Sequence, residues 1–456
     1  MRTLNESIQS QYFDISDFLG DTFECECGRQ HTAAIRQIST SETAVNLLVP
    51  YLKENSFSKA FLICDPTTYK IAGQPVCNLL TEANQAFSSY IIASDEPVPD
   101  ERTIGEILIN YDRSCDLIIG IGSGTINDLS RFVSYKLGIP YIIVATAPSM
   151  DGFASNVAPL IVNNLKTTYE AQTPLAIFAD TGLLKTAPIN MIAAGIGDIL
   201  GKYSCLCDWE LAHIITGEYW CPSVAALVNK SLDSVVAGID GAAAKTDESM
   251  QAIMNALVLS GIAMSFVGNS RPASGSEHHL SHYWEMTYLP EGRKAILHGP
   301  KVGIGTVAVL KAYELLVSKN IDFDKAKAKA MEFNFDKWEA DMKNAYKMAS
   351  DSVISLEKKV AKNSPANVTE RINKLESNWT RVKQIIGRLP SADTVRSYLK
   401  SLGAPDSPIS IGIDKDLFIT SFIVAKELRN RYGLLQILFD LGLTKEIAEE
   451  VWAYFC

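Results

Sequence analysis

Asp116–Asp128 reads DLIIGIGSGTIND, an apolar run that ends in glycines and passes directly into a segment of helical character. Leu117, Ile118 and Ile119 suit a strand buried on both faces. Gly120, Gly122 and Gly124 suit a backbone that must turn sharply and pass close to a neighbour or a ligand. A helix is expected over Thr125–Leu137, ended by Gly138 and Pro140. Its first N–H groups face the turn and favour an anion such as a pyrophosphate, aided by the helix dipole. A tight strand-to-helix turn without a ligand uses the same glycines.

Outward from this turn the pattern repeats. Short β-rich runs stand at FLIC (61–64), YIIAS (90–94) and YIIVATA (141–147), with helices expected over Thr67–Phe87 and Glu101–Tyr111. That alternation predicts βαβ units and a parallel sheet. Asp65, after FLIC, can accept hydrogen bonds from a nucleotide ribose or cap the helix beginning at Thr67. Beyond Pro188 the apolar residues fall at helical spacing, as in Phe418, Phe422, Ala425 and Leu428. The KAKAK run at 325–329 suits a solvated helix face. Two domains are expected, an α/β domain over 1–185 and an all-α domain over 186–456.

Composition narrows the functional classes. The chain has 456 residues, 47% hydrophobic and 21% charged, which fits a well-packed globular protein. A formal net charge of -10 argues against nucleic acid or an anionic membrane as partner. Phe13, Ile15 and Phe18 are interspersed with acids, unlike a signal peptide, so a cytoplasmic location is expected. Ala252–Val267 is apolar but short for a span and contains Asn255 and Ser260, which suits a buried core helix rather than membrane insertion. Nine cysteines in this setting suggest reduced thiols.

Four of the six histidines, His278, His279, His282 and His298, lie between Ser276 and Lys301. His278 and His282 share one helix face, whereas His279 points elsewhere. Two imidazoles with a carboxylate would make a three-ligand site for Zn, Fe or Ni with positions left for a substrate oxygen. His31 with Cys25 and Cys27, in CECGRQH, offers three zinc ligands but no evident fourth, and an ordinary surface hairpin accounts for the segment.

The order GIGSGTIND (120–128), TAPSMDG (146–152), GIGDILGK (195–202), SGSEH (274–278) and LHGPKVGIG (297–305) resembles the sn-glycerol-1-phosphate dehydrogenases. These belong with glycerol dehydrogenase, iron-containing alcohol dehydrogenases and dehydroquinate synthase. The resemblance covers about residues 25–310. It implies a Rossmann-like domain followed by an all-α domain, the dehydroquinate synthase-like fold. It also implies a divalent metal on Asp198, His278 and His298, and NAD(P) contacts from Asp65, Gly122, Ser123, Gly124, Thr125, Ile126, Asn127, Asp128, Thr146, Ala147, Pro148, Ser149 and Ser155. Asp151 and His282 would face the substrate, with His282 relaying a proton.

The implied reaction interconverts dihydroxyacetone phosphate and sn-glycerol 1-phosphate. An unphosphorylated polyol such as glycerol is one alternative substrate. A dehydroquinate-synthase-like lyase is another alternative, disfavoured by Asp198 and by His-Gly-Pro where the lyases carry Glu and His-Gly-Glu. Lys202 and Arg271 are the nearest cations in sequence for a substrate phosphate, or else ordinary salt-bridge partners. Two departures stand out: Ser123 interrupts the usual triple glycine, and the chain beyond about 320 matches less clearly, leaving room for a homodimer.

Overall fold

Strands at Gln37–Ser41 (β3), Lys59–Cys64 (β4), Ala86–Ile91 (β5), Leu117–Gly122 (β6), Tyr141–Ala145 (β7) and Ala176–Asp180 (β10) form one six-stranded sheet in this computed structural model, which describes residues 4–9, 14–162, 165–288 and 296–456. Every pairing in it is parallel, in the order β3-β10-β7-β6-β4-β5. Side chains alternate between two cores. Leu62, Ile119, Ile121, Ile142 and Val144 pack on one face, and Phe61, Ile63, Ile118 and Tyr141 on the other. Burial on both faces explains why these strands read as continuous apolar runs.

Two antiparallel hairpins accompany the sheet: Thr22–Glu24 (β1) with Gln30–Thr32 (β2), and Val157–Val162 (β8) with Leu165–Glu170 (β9). Among the described residues no strand follows Asp180.

The expected helix over Thr67–Phe87 is corrected. The helical path ends at Glu82, Asn84 adopts a positive φ of 53°, and Ala86 already begins β5. That strand pairs only with β4 and is half-exposed with two serines, so the apolar signal is weak at its start. The expected Glu101 and Thr125 helices occupy Glu101–Asn110 and Gly124–Leu137.

The chain gathers into two compact units, each made of two stretches of sequence. One comprises Met1–Ile199 and Pro222–Ser270, the other Leu200–Cys221 and Arg271–Cys456. The first therefore includes helices as well as the sheet. One of them, Asp247–Val267, is long and apolar enough by composition to cross a membrane, yet 72% of its most apolar window is buried within the protein. The second unit is helical among its described residues, with Ser276–Tyr288 and His298–Ser318 packed together. The Phe418 stripe is split between a helix at Lys415–Val424 and a tighter turn at Ala425–Leu428.

Candidate active site

In the first unit, the strand order places a topological switch between β4 and β6. From β4 the chain moves outward to β5, and from β6 it moves the other way to β7. Connections that diverge open a crevice at the carboxyl ends of the two strands, the usual place for a ligand in an open α/β sheet. Asp65 follows β4 there, Gly122 ends β6, and Ser123 and Gly124 follow it. Asp65 is an N-cap: its Oδ1 accepts from Thr68 N at 2.8 Å, and the Thr68 hydroxyl accepts from Asp65 N at 3.0 Å.

The glycines of the turn have different reasons. A Cβ at Gly122 would lie 2.5 Å from Ile126 Cβ, so the fold itself excludes a side chain. At Gly124 the nearest atom would be Met150 Cγ at 3.4 Å, an ordinary contact. Packing within the chain would therefore tolerate a Cβ at Gly124, in contact with Met150. Ser123 caps the helix, its Oγ accepting from Gly124 N at 2.6 Å and lying 2.8 Å from Ser149 Oγ. Ile126 is buried in the core under the turn, while Thr125 is part of the first helical turn.

Asn127 and Asp128 are used by the protein. Tyr141 Oη donates to Asn127 Oδ1 at 3.3 Å, and Asp128 pairs with Arg131 at 2.7 Å. Arg131, absent from the sequence reading, is buried and also donates to the carbonyls of Gly152, Phe153 and Val157. It ties the Gly124–Leu137 helix to the segment carrying Asp151 and Ser155. Ser155 Oγ accepts from Val157 N at 3.1 Å.

The segment Thr146, Ala147, Pro148 and Ser149 is buried, and Thr146 N donates to Gly122 O at 3.1 Å. The Ile189–Leu200 helix lies against it closely enough that a Cβ at Gly195 would collide with the Pro148 carbonyl oxygen. This contact sets Asp198 beside Asp151: Asp151 N donates to Asp198 Oδ2 at 3.0 Å. Ser260, on the apolar Asp247–Val267 helix, donates to Asp151 Oδ2 at 2.9 Å. By sequence alone Ser260 is only a polar interruption of an apolar stretch.

In the second unit three imidazoles converge. Ring centroids of His278 and His298 are 5.2 Å apart, His278 and His282 6.0 Å, and His282 and His298 5.7 Å. His278 and His282 come from one face of Ser276–Tyr288, and His298 opens the next helix. His278 Nδ1 lies 2.7 Å from Glu277 Oε1, which fixes the orientation of the ring and leaves Nε2 as its other polar atom. Glu277 also accepts from Ser204 Oγ and Gly275 N, each at 2.7 Å. Burial opposes its ionisation, but these hydrogen bonds and His278 outweigh it and hold the carboxyl below its usual range. The signal for Glu277 was its place next to His278.

His279 is on the other side of the helix. Burial, then Arg431, Arg429, Lys362 and Arg271, push its imidazole well below the ordinary histidine range, so it stays neutral. Arg271 grips Glu218 with two guanidinium nitrogens and donates to Tyr432 O at 3.0 Å. The salt-bridge alternative describes it. Buried Lys202 donates to Ala273 O at 3.0 Å.

Comparison with known proteins gives this geometry its family. The iron-containing alcohol dehydrogenase family matches residues 39–188. A glycerol-1-phosphate dehydrogenase [NAD(P)+] of Geobacillus stearothermophilus is 34% identical over 423 residues, covering 92% of this chain and 96% of the relative. This chain belongs to the glycerol-1-phosphate dehydrogenase family. An enzyme of the same name from Pyrococcus horikoshii is 36% identical over 89% of this chain and 92% of its own. Among solved structures, an iron-containing alcohol dehydrogenase from Corynebacterium glutamicum superposes with a TM-score of 0.59 at 14% identity, over 93% of this chain and 98% of that one. Glycerol dehydrogenase from Schizosaccharomyces pombe gives 0.56 at 14% identity, over 92% and 91%. These likenesses show the fold. Membership of the family implies a nucleotide cofactor and a metal.

Proposed function

We propose that this chain interconverts dihydroxyacetone phosphate and sn-glycerol 1-phosphate with NAD(P), using residues up to about 185 for the dinucleotide and residues from 186 onward for metal and substrate, with Asp151 of the first region also facing the substrate. The observation that carries the reading is the convergence of His278, His282 and His298, with a buried carboxylate, Glu277, fixing the first of these imidazoles from behind. The likeness over nearly the whole length of named relatives supports the substrate.

The proposed metal ligands are Asp198, His278 and His298. One carboxylate and two imidazoles suit Zn, Ni or Fe, and the ion would supply Lewis-acid polarisation of the substrate oxygen. His282, one turn from His278, is placed to carry the proton that accompanies hydride transfer. Asp151, held by Ser260, orients a substrate hydroxyl. The residues at the start of the Gly124–Leu137 helix would hold the dinucleotide pyrophosphate, to which the helix N-terminus supplies backbone N–H groups and a favourable dipole. The assigned contacts are Gly122 through Asp128, Thr146 through Ser149, and Ser155. Asp65 faces the ribose, and its charge disfavours a 2'-phosphate, so NAD is preferred.

Of the two expected phosphate cations Lys202 is retained, because Arg271 is committed to Glu218 and Tyr432. The enzyme works in the cytoplasm as a homodimer. The test follows NADH oxidation with dihydroxyacetone phosphate, dihydroxyacetone and a sugar-acid phosphate, before and after chelation. Turnover of the triose phosphate that disappears with the metal is expected. Preference for dihydroxyacetone would favour a polyol enzyme, and activity surviving thorough metal removal would overturn the mechanism.

A further inference from the structure

The β1–β2 hairpin carries a second cluster of metal-type ligands. Cys25 and Cys27 lie on its turn, where Gly28 adopts a φ of 81° and its N–H donates to Cys25 O at 3.0 Å. His31 is on the returning strand, opposite Phe23. The sulfurs of Cys25 and Cys27 and a ring nitrogen of His31 lie within 4.8 Å of one another. An ordinary surface hairpin does not require this convergence, nor a fully buried histidine at its base.

His31 is oriented as a ligand would be. Its Nδ1 lies 2.9 Å from Phe266 O, so it carries the proton and donates to that carbonyl. Nε2 is then the lone-pair nitrogen, and it lies 3.4 Å from Cys27 Sγ. A backbone carbonyl on one nitrogen and the ligand site on the other is the usual arrangement for metal-bound histidine.

The fourth ligand absent from the local sequence comes from far along the chain. Cys25 Sγ lies 3.4 Å from the hydroxyl of Ser223, in the helix that begins at Pro222. Two residues before Ser223 stands Cys221, buried and bonded directly to Pro222. With consecutive Cα atoms about 3.8 Å apart, its thiol is within reach of the hairpin sulfurs.

We propose that Cys25, Cys27, His31 and Cys221 bind a structural zinc ion, separate from the catalytic metal. Three sulfurs and one imidazole make a closed tetrahedral set, with no position for substrate. On binding, each thiol releases its proton to solvent, so the three thiolates and Zn2+ leave one net negative charge. Ser223 then turns its hydroxyl to donate to the Cys25 thiolate. The ion staples the hairpin to the start of the Pro222–Ala237 helix, across nearly 200 residues of sequence. Nothing is oxidised or reduced.

The test measures metal content by plasma mass spectrometry on protein purified with zinc. A His298→Ala variant removes one proposed catalytic ligand and is expected to keep about one zinc per chain in the hairpin site. Adding Cys27→Ser or Cys221→Ser to that background should remove it and lower the melting temperature. A second readout needs no hairpin substitution: cobalt loaded into His298→Ala should give a thiolate-to-cobalt charge-transfer band and intense tetrahedral d–d bands. A His298→Ala protein without zinc, zinc retained unchanged in both double variants, or bound cobalt with no sulfur charge-transfer band would each overturn the proposal.

Discussion

The glycine turn after β6 and the histidine pair of helices are built in opposite ways. The turn is made mainly of backbone: strand, glycine, cap and helix N-terminus, and a Cβ at Gly124 would meet Met150 only at ordinary contact distance. The histidine site is made of side chains, and its key member is a buried carboxylate that touches His278, Ser204 and Gly275 at once. A site of backbone tolerates change wherever its shape is kept. A site of buried polar side chains depends on every partner, because an unpaired buried group is costly.

The sharpest way to break this comparison is at the ligands. His298→Ala should reduce the rate with dihydroxyacetone phosphate to background while NADH binding, followed by fluorescence, is retained. Comparable loss of NADH binding would mean that the two regions are not separable. Next in size, Glu277→Gln should weaken catalytic metal binding by roughly 10- to 100-fold, the usual cost of losing a partner behind a ligand histidine. Activity should return as the metal concentration is raised. If it does not, Glu277 acts on something other than His278.

Within the turn, two glycines separate packing from ligand binding. Gly122→Ala places a methyl 2.5 Å from Ile126 Cβ and should cost about 1–3 kcal/mol in urea unfolding, the usual range for overpacking. Gly124→Ala meets only Met150 at 3.4 Å, so unfolding should change little while the KM for NADH rises. Equal losses of stability in the two variants would remove the space above Gly124 as a cofactor site. Smallest in its effect on catalysis, Arg271→Ala should lower the melting temperature by releasing Glu218 yet leave the KM for dihydroxyacetone phosphate unchanged. A large rise in that KM would return Arg271 to the substrate.

The amino-acid sequence alone determined the parallel sheet, because strands buried on both faces must be continuously apolar, and the turn, because Gly120, Gly122 and Gly124 stand between an apolar run and a helical segment. It also marked His278, His282 and His298, since scarce residues clustered on a helix stand out. Local pattern carried less at the edge of the sheet, where β5 has one neighbour and half-exposed serines.

What tertiary structure decided was how polar groups distant in sequence are satisfied. Only the fold puts Ser260 on Asp151, Ser204 on Glu277 and Glu218 on Arg271. Likewise it brought the hairpin thiol Cys25 to Ser223, and with it a candidate fourth ligand in Cys221. Hydrophobic periodicity is a local property of a strand or helix and can be read from neighbouring residues. The partner of a buried charge, hydroxyl or thiol is chosen by whichever distant segment packs against it.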